Sequence, residues 1–319
     1  MFGSPRFPLH GWIGLAVLVP AQILLFLGPE PVGYWFFPLA WWPYILIADG
    51  LVCRRKGTSL LTGRPREFLI LLPWSICIWL VFELFNVALN NWHYVMAPEN
   101  LLQRWTGYAV SFATVLPGLF ETLHLLDAYG LFEHSRVRPI PSSTRWYLPF
   151  VATGLLFLAL PLIRPQYFFP LVWGSFIFLL EPLNHRLGLP SLMRQWQEGS
   201  LRTFYLLLAA GAVCGLLWEF WNYWALTKWV YTVPYVSWLK VFEMPVLGFL
   251  GFPPFAVECY VLMSTVSLLH QGRNWHHPAA SAAGSCRPGR ILLLALAQLT
   301  FCLFVFHQID LHTVACYRP

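Results

Sequence analysis

The 319-residue chain is 58% hydrophobic and only 11% charged, with a formal net charge of +6. A soluble domain usually carries about 25% charged residues, so this composition excludes an ordinary water-soluble fold. The basic residues follow the pattern of membrane loops, so the positive charge is attributed to topology and no nucleic-acid partner is expected.

Nine apolar runs predict transmembrane helices, because a span needs about 20 mostly apolar residues. In chain order the predicted spans are 11–28, 34–53, 68–90, 106–127, 147–163, 168–184, 203–226, 242–269 and 291–308. The fifth and sixth are short and are separated by the turn at Arg164-Pro165. The polar stretch 270–290 is predicted to be a cytoplasmic linker, and 291–319 an extra helix with an outer tail.

The basic residues predict the orientation. Only five of the 20 lysines and arginines fall on one side of the predicted helices, namely Arg104, Arg164, Lys228, Lys240 and Arg318. The positive-inside rule therefore predicts a cytoplasmic N-terminus and an outer C-terminus. We expect a cell membrane as the location, and specifically a bacterial inner membrane.

The chain repeats itself. Residues 36–60 align without a gap with residues 168–192, and both segments begin with Phe-Phe-Pro-Leu. Farther along, three more pairs of segments align in the same order, at 82–86 with 218–222, 92–94 with 229–231, and 117–121 with 254–258. Matches spread over several helices in one order predict an internal duplication.

The duplication predicts the fold class, an all-α polytopic membrane protein with about nine transmembrane helices. Residues 1–135 form the first four-helix unit and residues 136–269 the second, and one extra C-terminal helix follows. Since four is an even number, both units enter the membrane from the same side. The units are therefore expected to form a tandem parallel repeat about an axis along the membrane normal.

Four glutamates lie deep within predicted spans, at matched positions of the two units. Glu83 and Glu219 are in the third helix of each unit, and Glu121 and Glu258 are in the fourth. An acidic group at the bilayer centre costs roughly 2.5–3.5 kcal/mol. We therefore expect these four residues to be catalytic, although they could instead tie helices together by hydrogen bonds.

Polar and aromatic neighbours of these glutamates predict a binding surface. Asn86 and Asn222 each follow a glutamate by three residues, so each shares a helix face with it. An amide there can hold the carboxyl group or contact a ligand. We expect both asparagines, together with Trp218 and Trp221, to bind the substrate.

Two further acidic residues, Asp49 and Glu181, lie near the cytoplasmic ends of their spans and close to Arg54 and Arg186. We expect them to form interface ion pairs. Metal and cofactor sites are not expected. Glu121 and His124 have the Glu-x-x-His spacing of di-iron bundles, but the sequence holds no second example.

The stretch from Trp218 to Tyr260 reads W-E-x-W-N, then W-x-Y-x-x-P, then P-P-x-x-x-E. It resembles the integral-membrane lycopene cyclase domain and related carotenoid hydratases, which are tandem-repeat helical membrane proteins. The resemblance implies acid–base chemistry on a polyene without net redox change. It also implies that the acidic positions of the family fall on Glu219 and Glu258, and on Glu83 and Glu121 in the first unit.

Three functions remain open. The first is a cyclase-, isomerase- or hydratase-type enzyme acting on an isoprenoid or carotenoid-like lipid, because desolvation keeps a buried carboxyl group neutral and able to donate a proton. The second is a proton- or cation-coupled transporter, although the glycine-flanked helix breaks of carriers are not evident. The third is a non-catalytic subunit whose partners are other membrane subunits.

Overall fold

The computed structural model describes residues 6–28, 30–141, 144–236, 238–270, 275 and 288–314. Most of the predicted linker 270–290 and the end of the tail at 315–319 lie outside these residues. Helices make up most of the described chain, as the sequence predicts, and two short strand pairs accompany them.

The helices are α1 (Leu9–Leu27), α2 (Glu30–Lys56), α3 (Leu60–Gly63), α4 (Pro65–Leu89), α5 (Leu101–Phe112), α6 (Val115–Ala128), α7 (Tyr147–Ile163), α8 (Pro165–Phe168), α9 (Ser175–Arg186), α10 (Leu192–Gln197), α11 (Arg202–Trp224), α12 (Phe252–Val266) and α13 (Pro288–Ile309). The strands are β1 (Trp92–Val95), β2 (Lys228–Tyr231), β3 (Lys240–Val241) and β4 (Met244–Pro245). Tighter 3-10 turns lie at Thr144–Trp146, Phe169–Gly174, Val246–Gly251 and Ser267–His270, and a π-turn lies at Asp310–Val314.

Eight helical segments of the described chain are long and apolar enough to cross a membrane. They are Leu9–Leu27, Glu30–Lys56, Pro65–Leu89, Leu101–Ala128, Thr144–Ile163, Arg202–Trp224, Val246–His270 and Gly289–Val314. Each coincides with one of the nine predicted spans, which supports a multi-pass membrane protein.

The remaining predicted span, 168–184, is a broken helix. Helix α8 ends at Phe168, the 3-10 segment Phe169–Gly174 follows, and α9 begins at Ser175. Pro170 removes a backbone N–H from this segment, and Gly174 has a non-helical backbone with φ −146° and ψ −3°. This break corrects the prediction of one continuous span over 168–184.

The helices pack around an aromatic core. Trp41 of α2 is fully buried, and its ring lies 5.3 Å from that of Trp218 and 5.1 Å from that of Trp221. Helix α6 approaches this ring through Gly118, where a β-carbon would lie 2.6 Å from the Trp41 ring. Small residues allow such close approach between membrane helices. The packing brings α2, α6 and α11 together.

Strands β1 and β2 form an antiparallel ribbon that joins the loops after α4 and α11. Trp92 pairs with Tyr231, Tyr94 pairs with Trp229, and His93 pairs with Val230 between them. Aromatic and β-branched side chains favour extended backbone, which suits these segments to the ribbon. The fold is mostly helical, and these short extended segments lie between the helices.

Candidate functional site

A cavity of about 790 Å³ lies against the β1–β2 ribbon. Its volume is in the upper part of the range of roughly 300–1,000 Å³ that is typical of small-molecule sites. Its wall is mostly apolar and receives residues from both predicted units. The aromatic side chains in the wall include Tyr34, Trp35, Phe37, Trp79, Trp92, Tyr94, Tyr108, Phe112, Trp173, Trp218, Trp229, Tyr231 and Phe255.

Glu83 lies directly behind this wall. It is fully buried on α4, and its Oε1 accepts hydrogen bonds from Tyr94 Oη at 2.5 Å, Trp79 Nε1 at 2.9 Å and Trp92 Nε1 at 3.3 Å. All three donors line the cavity. A ligand in the cavity can therefore contact side chains that are themselves hydrogen-bonded to the Glu83 carboxyl group.

Glu219 on α11 has a corresponding position behind Tyr231. The Tyr231 hydroxyl donates to Glu219 Oε1 at 2.8 Å and accepts a hydrogen bond from Trp229 Nε1, also at 2.8 Å. Glu219 is fully buried, while Trp229 and Tyr231 line the cavity. A continuous chain of hydrogen bonds thus runs from the cavity wall to the carboxyl group.

The ribbon explains why both tyrosines face the cavity. Alternate residues of a strand point to the same side, and directly paired residues of neighbouring strands also share a side. Trp92, Tyr94, Trp229 and Tyr231 therefore occupy one face of the ribbon. Burial raises the pKa of Tyr94 and that of Tyr231 well above the usual value for a phenol, so both hydroxyls keep their protons.

The two predicted substrate-binding asparagines hold the ribbon backbone. Asn86 Oδ1 accepts from the N–H groups of Asn91 at 2.8 Å and Trp92 at 3.2 Å, and its Nδ2 donates to the Trp92 carbonyl at 2.8 Å. Asn222 contacts the Trp229 N–H and carbonyl at 2.9 and 2.8 Å. These contacts fix the strands that carry the tyrosines, and substrate binding by the asparagines stays a prediction.

Of the two predicted tryptophans, Trp218 lines the cavity. Trp221 is buried in the core, where its ring lies 5.1 Å from that of Trp41 and 5.8 Å from that of Tyr44. Both rings pack against Trp41, but only that of Trp218 also borders the cavity. Only Trp218 is placed to contact a ligand in this cavity.

Glu258 is held at the helix break. Its Oε1 accepts hydrogen bonds from the Phe176 N–H at 2.7 Å and the Ser175 hydroxyl at 3.2 Å, in the first turn of α9. The first N–H groups of a helix lack intrahelical partners, so a carboxyl group there stabilises the helix start. Glu258 therefore fixes the segment Phe169–Gly174, which contributes Trp173 to the cavity wall.

Glu121 has different surroundings. It is fully buried, and its carboxyl group interacts with that of Asp49. His124 Nδ1 lies 3.8 Å from its Oε2. Glu121 and Glu258 thus contact separate groups, whereas the ribbon joins the partners of Glu83 to those of Glu219.

Asp49 and Glu181 support helix starts, and the described residues show no ion pair of either with Arg54 or Arg186, which corrects those two predicted partners. Asp49 Oδ1 lies 2.8 Å from His10 Nε2 instead. Asp49 accepts from the Ser59 hydroxyl at 2.6 Å and the Leu61 N–H at 2.9 Å, at the start of α3.

Glu181 makes the same two kinds of contact at the start of α10. It accepts from the Ser191 hydroxyl at 2.5 Å and from the Met193 N–H at 2.8 Å. The partners follow the acidic residue by ten and twelve positions in both places. The two contacts therefore have the same form in both predicted units.

Sequence reasoning missed an ion pair that binds the last helix to the cavity wall. The Arg104 guanidinium donates to both carboxylate oxygens of Asp310 at 2.7 Å, and Trp105 and Tyr108 also donate to Asp310. Arg104 and Tyr108 line the cavity. The available signal was an arginine beside an apolar helix, but nothing local indicates its distant partner.

The described residues place no group of three or more histidine, cysteine, aspartate or glutamate side chains to hold a metal ion. They define a mostly helical chain with eight candidate membrane spans and an aromatic cavity. Comparison of the chain with protein-family models, with curated proteins and with solved structures finds no match. Functional inference therefore depends on the geometry of the cavity.

Proposed function

We propose that this chain is a membrane enzyme that binds an isoprenoid or carotenoid-like lipid in the aromatic cavity and moves protons on it. One observation carries the proposal. Tyr94 and Tyr231 both line the cavity, and each donates its hydroxyl to a buried glutamate. An apolar cavity with two proton-exchanging pairs suits acid–base chemistry on a hydrocarbon chain.

The two pairs differ in a way that assigns an acid and a base. Glu83 Oε1 accepts three hydrogen bonds, and such bonds stabilise an ionised carboxylate. Glu219 Oε1 accepts from Tyr231, and the described contacts give this carboxyl group fewer donors than Glu83 has. Its ionised form is therefore stabilised less than that of Glu83. Glu219 is therefore the proton donor in the proposal, and Glu83 is the acceptor.

In the proposed reaction, the Tyr231 hydroxyl first turns from Glu219 toward the ligand, and the neutral carboxyl group of Glu219 then donates its proton to the tyrosine oxygen. The π electrons of a ligand double bond take the proton that leaves the tyrosine. A carbocation results. Another carbon then loses a proton through Tyr94 to Glu83, and the electrons of the broken C–H bond form a new double bond. The product is an isomer or, if a second double bond attacks the cation, a cyclic isomer, with no change of oxidation state.

The aromatic wall supplies the electrostatics that a carbocation needs. A cation over an aromatic face gains about 2 kcal/mol or more when it is desolvated. Trp79, Trp173 and Phe255 line the cavity, and the ring of Phe255 lies 5.8 Å from that of Trp79 and 5.6 Å from that of Trp173. These faces would lower the energy of the intermediate without reacting with it.

The proposal keeps the predicted architecture and the resemblance to the lycopene cyclase group. A tandem duplication over 1–135 and 136–269 is supported by the matched contacts of Asp49 and Glu181 and of Asn86 and Asn222. With a cytoplasmic N-terminus in the cell membrane, the ribbon lies on the outer side. The broken segment 165–186 would be the ninth membrane-embedded element.

A carrier for the same lipid is the second candidate, and the helix break favours it. Transporters often bind substrates beside discontinuous helices. The segment Phe169–Gly174 interrupts the helix between α8 and α9, and it lines the cavity. A carrier would move the ligand across the membrane without changing it chemically, and this movement would depend on the segment Phe169–Gly174.

Extraction of lipids from cells with and without the chain tests the enzyme. We expect a changed isoprenoid or pigment profile that disappears in Glu219→Gln and Tyr231→Phe, while the exposed control Glu133→Gln keeps it. Identical profiles for the wild type and Glu219→Gln would refute catalysis. Ligand flux into liposomes without a new product would instead support the carrier.

A further inference from the structure

A second pocket, of about 610 Å³, lies where the start of α7 meets the end of α9 and helix α10. It shares no lining residue with the aromatic cavity. The described residues that line it are all polar, and none is acidic: Thr144, Tyr147, His185, Arg186, Arg194 and Gln197. The pocket is therefore positively charged, and it is separate from the tyrosine–glutamate pairs.

Its two arginines are not neutralised within the chain. All 14 acidic residues lie in the described ranges, and none of them forms an ion pair with Arg186 or Arg194. Lys56 and Arg202, by comparison, both pair with Asp127. The guanidinium groups of the pocket are thus available to an anionic ligand, to which they would donate charge-assisted hydrogen bonds.

Hydrogen bonds fix the polar wall. Arg194 Nη2 donates to the His185 carbonyl at 2.9 Å, which joins α10 to the last turn of α9. The His185 ring contacts the Tyr147 hydroxyl at 2.5 Å and Gln197 Oε1 at 3.1 Å. Glu181 also attracts Arg194, but it is buried, and its carboxyl group accepts hydrogen bonds at the start of α10. The wall is therefore assembled from three helices before any ligand binds.

Apolar side chains beside the pocket are exposed. Leu148 directly follows Tyr147 and is 78% exposed, and Leu187 directly follows Arg186 and is 49% exposed. The pocket also lies at helix ends, on the side that the positive-inside rule predicts to be cytoplasmic. Basic pockets between membrane helices on that side bind the headgroups of anionic lipids, whose acyl chains need an apolar surface nearby.

We propose that this pocket binds an anionic glycerophospholipid. Its phosphate oxygens accept hydrogen bonds from Arg186 and Arg194, and its acyl chains lie along Leu148 and Leu187. A zwitterionic lipid has the same phosphate but adds a cation that the two unpaired arginines repel, so it binds more weakly. This inference goes beyond the proposed function and does not depend on it, because the aromatic cavity takes no part.

Native mass spectrometry of the full chain, titrated with phosphatidylglycerol or with phosphatidylcholine of identical acyl chains, tests the site. We expect phosphatidylglycerol to bind about tenfold or more tightly, since each arginine beside an anionic headgroup contributes about fivefold. The double variant Arg186→Gln/Arg194→Gln should bind the two lipids equally. Arg186→Gln alone should lose about fivefold in affinity for phosphatidylglycerol, and it breaks no hydrogen bond or ion pair of the described residues.

The matched control is Arg54→Gln/Arg66→Gln. It removes two charges from the same predicted side, both at exposed positions outside the pocket, and Arg54 is the repeat counterpart of Arg186. The control should keep the lipid preference. The same loss in the control, or equal binding of both lipids by the wild type, would overturn the site. Displacement of phosphatidylglycerol by millimolar inorganic phosphate would show a site for a free anion and overturn the lipid assignment.

Discussion

His93 pairs directly with Val230 at the centre of the β1–β2 ribbon, with a tryptophan before and a tyrosine after each of them. In this register, a two-fold rotation about the pair would exchange Trp92 with Trp229 and Tyr94 with Tyr231. This register follows if the two strands are copies of one segment that meet across the axis. It places the two tyrosine–glutamate pairs on opposite ends of one aromatic surface.

The ribbon depends on Asn86, and its replacement gives the first prediction. Asn86→Ala removes the acceptor for the Asn91 and Trp92 N–H groups and the donor to the Trp92 carbonyl. Each orphaned buried group costs about 1–3 kcal/mol, so the melting temperature in detergent should fall clearly. Asn222→Ala, which loses two contacts instead of three, should lower it less.

Asn100→Ala is the matched control, because Asn100 caps α5 through a single bond to the Gln103 N–H. Loss of this capping bond should lower the free energy of unfolding by only about 1 kcal/mol. If Asn86→Ala weakens ligand binding but leaves the melting temperature unchanged, the asparagine binds the ligand and does not hold the strand.

The Arg104–Asp310 pair gives the second prediction. Asp310→Ala leaves the Arg104 guanidinium, which is 6% exposed, without its partner. Breaking a buried pair in this way costs about 3–5 kcal/mol, whereas replacing both partners by apolar residues is often neutral. The free energy of unfolding, measured by denaturation in mixed micelles, should therefore be clearly lower for Asp310→Ala than for the double variant Arg104→Met/Asp310→Leu. A double variant no more stable than the single one would show that the pair does not anchor the last helix by its charges.

Close helix packing gives the third prediction. A β-carbon at Gly211 would lie 2.5 Å from the Phe252 carbonyl oxygen and 2.8 Å from Pro253 Cα, both of which are backbone atoms. Gly211→Ala should therefore destabilise the protein by about 1–3 kcal/mol through overpacking. Gly107→Ala is the control, because open space surrounds its position in α5, and it should stabilise by about 0.5–1 kcal/mol. Equal effects of the two substitutions on thermal unfolding would be inconsistent with this packing.

The two capping serines give the fourth prediction. Ser59 accepts from the Thr62 N–H and donates to Asp49, and Ser191 accepts from the Arg194 N–H and donates to Glu181. Ser59→Ala and Ser191→Ala should each lower the free energy of unfolding by about 0.5–2 kcal/mol. The two losses should be similar. Thermal unfolding of both variants measures this. A large effect at one serine and none at the other would argue against equivalent roles.

Hydropathy was sufficient to predict eight spans of the described chain, because a long apolar helix is a local property. The ninth was predicted as continuous although Pro170 and Gly174 lie within it. Pro38 occupies the corresponding place in α2 without breaking that helix, so proline alone is not decisive. The break also involves Glu258, whose contact with the start of α9 is set by tertiary packing.

The site was predicted only in part for a similar reason. The matched glutamates Glu83 and Glu219 were visible in the sequence as acidic residues in apolar runs. Tyr94 and Tyr231 lie in the aligned segments 92–94 and 229–231, but no local pattern indicates that strands more than 130 residues apart will pair. The different surroundings of Glu121 also depend on packing that the repeat alignment does not contain.

Deuterium incorporation tests proton transfer in the cavity most directly. Membranes from cells that have made the chain and its unlabelled lipid substrate in H₂O are transferred to D₂O, and the isoprenoid product formed there is examined by mass spectrometry and NMR. We predict one deuterium per product molecule at the carbon that receives the proton, and loss of this label in Glu219→Gln and Tyr231→Phe. A new product without deuterium at any former double-bond carbon, or full labelling in both variants, would contradict catalysis by the tyrosine–glutamate pairs.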